Sequence, residues 1–179
     1  ASRNKIYPLE QRKEKIRWLI SHNADVNKRD CSRRYFPPLS HAIQLGDYEM
    51  FLFLLQECKA NPNVGSRNPS DAGKLRQKNE GNMPLMIAAW EGKKEFIIDL
   101  CNDVRTSINQ QDANGFTALM KACMNGHFAE DKEKRTRDCR TVLIDAGADQ
   151  RIVDINGKTA ADWMNEYRCS GPTRKMFHR

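Results

Sequence analysis

Residues Asp112 to His127 read DANGFTALMKACMNGH, and the rest of the chain repeats that line with variations. Glu80 to Lys93 reads EGNMPLMIAAWEGK, Pro37 to Asp47 reads PPLSHAIQLGD, and Asp154 to Asp162 reads DINGKTAAD. Each full copy sets out a turn, a Thr-Pro-Leu-like start, small residues, and then Gly46, Gly92 or Gly126. A second, more apolar element occurs four times and closes on a short Ala-Asp-x-Asn-like loop. It reads IRWLISHNADVN from Ile16, MFLFLLQECKANPN from Met50, FIIDLCNDVRTSIN from Phe96 and CRTVLIDAGADQR from Cys139. Self-similarity at a fixed period of this kind is the signature of a stacked repeat.

Elementary chemistry accounts for the pattern. Leu39, Leu85 and Leu119 open a short helix behind a Pro or small residue that suits a first turn. Ala42, Ala88 and Ala122 let neighbouring helices approach closely. Gly46, Gly92 and Gly126 end those helices, where left-handed backbone is cheap only for Gly. The second helix is predicted to bury residues at i, i+3 and i+4, as in Ile16, Leu19 and Ile20, or Cys139, Val142 and Leu143. Gly147 closes the last of these helices, and Asn23 takes that place in the first. No such pair buries both of its faces alone, so the copies must stack.

The line quoted above, with its turn, Thr-Ala-Leu start and closing Gly, resembles the ankyrin-repeat family, and the resemblance covers nearly the whole chain. It implies an all-α solenoid of stacked helix pairs with short β-hairpin loops. The domain is expected over residues 1–170, with a half-repeat at 9–29, repeats at about 30–64, 80–110 and 111–152, and a terminal cap at 153–169. Three inserts interrupt it, the first being two extra residues near Cys31 to Arg34, ahead of the hairpin tip. Residues 65–79 have the composition of an exposed loop, and 128–136 alternate in charge as a solvated helix extension would. Residues 171–179 form a basic tail. The half-repeat supplies only a second helix, about Leu9 to His22, and leaves open whether it caps the array or continues a longer one.

Composition narrows the function classes. The 179 residues are 39% hydrophobic and 30% charged, with a net charge of +7. That balance excludes a disordered tail, and no stretch of about 20 apolar residues offers a membrane span. The six cysteines contain no C-x-x-C pair, and the four histidines do not cluster with them, so neither metal nor cofactor is expected. Free thiols and the absence of a basic-then-apolar leader suggest an intracellular setting, cytoplasmic or nuclear. No Gly-rich phosphate loop, G-x-S-x-G or H-E-x-x-H is present, so an enzyme is not expected.

The resemblance implies an interaction module, a scaffold or adaptor, that holds a peptide or folded protein in a concave groove. The positive charge favours an acidic partner. Two alternatives stay open: a binder of nucleic acid or another anionic surface, and a substrate-recruiting part of an enzyme or effector. Carried over residue by residue, the groove positions are Arg34, Phe36 and Leu45 in the second copy and Asn82, Trp90 and Glu91 in the third. The fourth gives Asn114, Phe116, Met124 and Asn125, and the last gives Lys158. Trp90 stands out because Trp is the residue most enriched at interface hot spots. With Phe36, Leu45, Phe116 and Met124 it would form an apolar stripe flanked by Arg34 and Lys158.

Overall fold

Pro38 and Pro84 sit in the first turns of two eight-residue helices, where the missing N–H costs nothing. The computed structural model describes residues 8–29, 36–66, 81–124 and 130–169, with the backbone alone at 130–137 and 167–169. Helix α1 covers Leu9–Ser21, α2 Pro38–Leu45 and α3 Tyr48–Leu52, which runs on into a π-helical turn at Phe53–Glu57. Then come α4 (Pro84–Glu91), α5 (Lys94–Asn102), α6 (Ala118–Met124), α7 (Glu130–Asp145) and α8 (Ala160–Cys169). Both eight-residue helices stop on a left-handed glycine, Gly46 at φ 74° and Gly92 at φ 67°.

The first helices α2, α4, α6 and α8 pack side by side in sequence order, and each of α2, α4 and α6 packs on its own second helix. The small residues of the repeat make this possible: Ala42, Ala88, Ala89 and Ala122 are buried where helices meet. The second row is joined by aromatic contacts. Phe96 of α5 lies 4.9 Å from Phe51 and 5.2 Å from Tyr48 of α3, ring centre to ring centre. Cys123 and Cys139 are buried and Cys101 half-buried in the same spine. Burial pushes all three thiols up to about 11. Trp163 and Met164 cover the end of the core at α8.

The loops after the second helices are tied by asparagines. The Asn61 N–H donates to Asn27 Oδ1 (2.7 Å), that of Ser107 to Asn63 Oδ1 (2.8 Å), and that of Asp149 to Asn109 Oδ1 (2.7 Å). The amide groups answer: Asn63 Nδ2 donates to Arg105 O and Asn109 Nδ2 to Gly147 O. A ladder of side chain to backbone bonds therefore steps from each copy to the next. Arg105 reinforces it by donating to the carbonyls of Leu55, Lys59 and Ala60 in the preceding copy.

One sequence expectation changes in the structure, and two details are added to it. Ile16 and Ile20 are only half-buried and Leu19 is exposed, because nothing described packs over that face of α1. The second copy ends its second helix on Lys59, a non-glycine residue at φ 54°, where its sequence offers no Gly or Asn. The 128–136 insert extends the helix, as its charge pattern suggests: it is helical from Glu130 onward, which makes α7 16 residues long against nine in α5.

Candidate functional site

The loops that precede α6 and α8 are fingers closed by aspartate. Asp112 Oδ1 accepts from the N–H groups of Asn114 and Phe116, both at 2.9 Å, and the Asp112 N–H donates to Phe116 O at 2.9 Å. Asp154 repeats the arrangement with Asn156 and Lys158 at 2.8 and 3.0 Å. The carboxylate does the work of a strand pair, and among the described residues no strand forms. Adjacent fingers touch: Ile155 N–H donates to Asn114 O, and Gln111 Nε2 donates to Val153 O. A Cβ on Gly115, at φ 78°, would stand 2.8 Å from Asp154 Cα, so only Gly fits between the two fingers.

Buried charges in the fingers are satisfied. Lys121 pairs with Asp112 at 3.1 Å and lies 4.3 Å from the Phe116 ring centre. Burial alone would raise the Asp154 carboxyl. The N–H groups of Lys158 and Asn156 and the Trp163 indole N–H (3.0 Å) outweigh it and hold the carboxyl below its ordinary value. Ahead of α4, the neck of the 65–79 insert is pinned by two bonds: Ser66 N–H to Asn82 O and Asn82 N–H to Ser66 Oγ, each 3.1 Å.

The residues expected to form the groove separate on this geometry. Leu45 (69% exposed), Trp90 (43%) and Glu91 lie open on the first-helix face, and Met124 is half-buried beside them. Gln44, Trp90 and Met124 stand two residues before the glycine of three successive copies, so they run as a row across α2, α4 and α6. Asn114 shows its side chain at a fingertip while its backbone is engaged. Asn82 is half-buried at the insert neck. Arg34 and Asn125 lie outside the described residues, as do Gly126 and His127.

Three members of the expected stripe are corrected. Phe36 is only 9% exposed, because the residue ahead of Pro37 folds into the core instead of onto the face. Phe116 is covered edge-on by Trp163 (5.5 Å) and by Lys121, so the end of the array uses it for packing. Lys158 pairs with Glu166 and lies 4.4 Å from the Trp163 ring centre. It closes the last finger and does not flank a groove.

A family model described as ankyrin repeats, in three copies, matches residues 64–154, half of the chain. The chain belongs to the ankyrin-repeat family. Ankyrin repeats are a protein–protein interaction module. Among curated proteins, a Plasmodium falciparum protein named as an E3 ubiquitin-protein ligase is 29% identical over 72% of this chain. The AVO2 subunit of the target of rapamycin complex 2 of Saccharomyces cerevisiae is 25% identical over 85%. Ankyrin repeat and SAM domain-containing protein 6 of Rattus norvegicus is 27% identical over 70%. The chain spans 1%, 31% and 12% of these relatives respectively.

Among the described residues no three His, Cys, Asp or Glu side chains converge as metal ligands would, and no helix is long and apolar enough to cross a membrane.

Proposed function

We propose that this ankyrin array is a scaffold or adaptor segment that holds a protein or peptide on its first-helix face, with Trp90 at the centre of the contact. The observation that carries this reading is the Gln44–Trp90–Met124 row. An exposed indole sits among three packed helices, with exposed Leu45 and the acid Glu91 at its edge. A large aromatic held on a rigid helix loses little entropy on binding, which suits a hot spot. The named relatives fit a part that positions partners within longer polypeptides. In such a polypeptide the array would recruit a substrate or complex member and leave any chemistry to other domains.

The charge distribution favours a protein partner over nucleic acid. Much of the described basic charge is committed internally: Arg12 to Asp47, Arg17 to Glu57, Arg105 to Asp103, Lys121 to Asp112 and Arg151 to Asp149. Lys93 is spent on the carbonyls of Ile43 and Gln44, and burial lowers its pKa. The free thiols of Cys58, Cys101, Cys123 and Cys139 fit a cytoplasmic or nuclear setting.

The test is affinity capture with the purified chain beside a Trp90→Ala control, followed by titration of the captured partner. Trp90→Ala should weaken binding by more than about 1 kcal/mol while leaving the melting temperature in place. Unchanged affinity refutes the site. Affinity that collapses steeply with added salt identifies phosphate binding and refutes the protein reading.

A further inference from the structure

Glu91 is the last residue of α4, and it breaks a local rule. The C-terminus of a helix is the negative end of its dipole, so an acid there weakens the helix and a cation strengthens it. The neighbouring copies avoid the conflict, with Leu45 before Gly46 and Asn125 before Gly126. Glu91 is exposed, and none of the ion pairs among the described residues includes it. Lys93, two residues on, feels its charge but turns its ammonium to the carbonyls of Ile43 and Gln44. A residue that weakens its own helix and pairs with nothing described is expected where function, not folding, sets the sequence.

The lysines of the same face point the same way. Lys121 of α6 is held by Asp112 at 3.1 Å, and Lys158, ahead of α8, is held by Glu166. With Lys93 turned to α2, the described first-helix face shows no unpaired lysine and one unpaired carboxylate. Charges are screened over about 8 Å at physiological salt. The net charge of +7 on the whole chain therefore says little about this face, and Glu91 with the end of α4 decides what docks there.

The apolar part of the face lies beside that carboxylate. Helix α4 has α2 on one side and α6 on the other, so its last turn is in the middle of the stack. Trp90 stands in the row with Gln44 and Met124, and Glu91 in the next row with exposed Leu45. A segment laid across the three helices meets an apolar strip with one acid along its edge. Packed helices lie about 8–10 Å apart and an extended chain rises about 3.3 Å per residue, so one helix is crossed in about three residues.

We infer that the partner segment is basic and apolar. Apolar side chains about three residues apart rest on Trp90 and Met124, and an arginine or lysine beside them pairs with Glu91. The inference rests on the reading of this face given above and adds the chemistry of what it holds. In the complex the partner's cation supplies the positive charge that the end of α4 lacks. An acidic segment would set its carboxylates against Glu91 and against that helix end, with no described lysine left to answer them.

The test pans a phage library of random dodecapeptides on the full chain and discards every peptide that also binds Trp90→Ala. The peptides kept should carry more Arg and Lys than Asp and Glu. For one of them, synthesised and titrated, Glu91→Gln should raise Kd about threefold and Glu91→Lys about tenfold or more. Exchanging the peptide's cation for Glu should restore binding to Glu91→Lys. Glu95→Lys, on the exposed side of α5 and off the face, should bind as the parent does. Glu91→Lys should melt no lower than the parent, since it places a cation at a helix end; a lower melting temperature overturns the inference. So do Trp90-dependent peptides that are acidic or without charge preference, or that bind Glu91→Lys as well as the parent, and these leave the Trp90 reading standing. A library that yields no Trp90-dependent peptide overturns both.

Discussion

Asn63→Ala is the sharpest test of how the copies are held together. Asn63 Oδ1 accepts the Ser107 N–H at 2.8 Å and Asn63 Nδ2 donates to Arg105 O at 2.6 Å, so one side chain makes two bonds to the next copy. A hydrogen bond contributes about 0.5–1.5 kcal/mol net, so removing both should cost about 1–3 kcal/mol. At about 2–4 °C per kcal/mol for a chain of this size, the melting temperature should fall by roughly 2–12 °C. The assay is urea and thermal denaturation followed by circular dichroism, with exposed Asn102→Ala as the control, expected within about 0.5 kcal/mol of the parent. Asn63→Asp should lie between, because it keeps the acceptor and turns the donor into a carboxylate beside a carbonyl. Equal midpoints for Asn63→Ala and Asn102→Ala would refute the idea that the asparagine ladder, and not apolar burial alone, couples the loops.

Two further outcomes follow from the core and the fingers. Leu119, buried in α6, should cost about 2–5 kcal/mol on Leu119→Ala, read as a lowered urea midpoint; an unchanged midpoint would contradict the shared spine. Asp154 has its folded pKa held down, so its contribution is present above the ordinary carboxylate value of about 3.9 and is lost as pH falls through the folded value. Denaturation midpoints from about pH 6 down to about pH 3 should drop less steeply for Asp154→Asn than for the parent, and parallel curves would refute the assignment.

How much the sequence reveals depends on whether a residue's role is local or collective. Pro38, Pro84, Gly46 and Gly92 set their backbone by their own chemistry, and Ala42 and Ala88 set helix spacing by size, so the repeat could be read directly. Asn23 belongs to the same class, at φ 65° where its position suggested. Lys59 does not. Its left-handed backbone goes with the π-helical turn before it and the Arg105 bond to its carbonyl, neither of which leaves a mark in ECKANPN.

The open face is collective in the same sense. Phe36, Leu45 and Phe116 look alike as apolar residues near the groove, but Phe36 precedes two prolines that turn it inward. Phe116 has Lys121 of its own copy and Trp163 within reach, and the Trp163 contact exists only because the last copy stacks on the fourth. Leu45 stays exposed because no described helix lies over that side of α2. The apolar pattern of α1 predicts burial of Leu19 because a second helix packs against a first helix, and none of the described residues supplies one on that side. Exposure of Leu19 and Leu45 is thus one fact with two residues. The row of Gln44, Trp90 and Met124 is built across three copies, so its exposure follows from the stack and from no single copy's sequence.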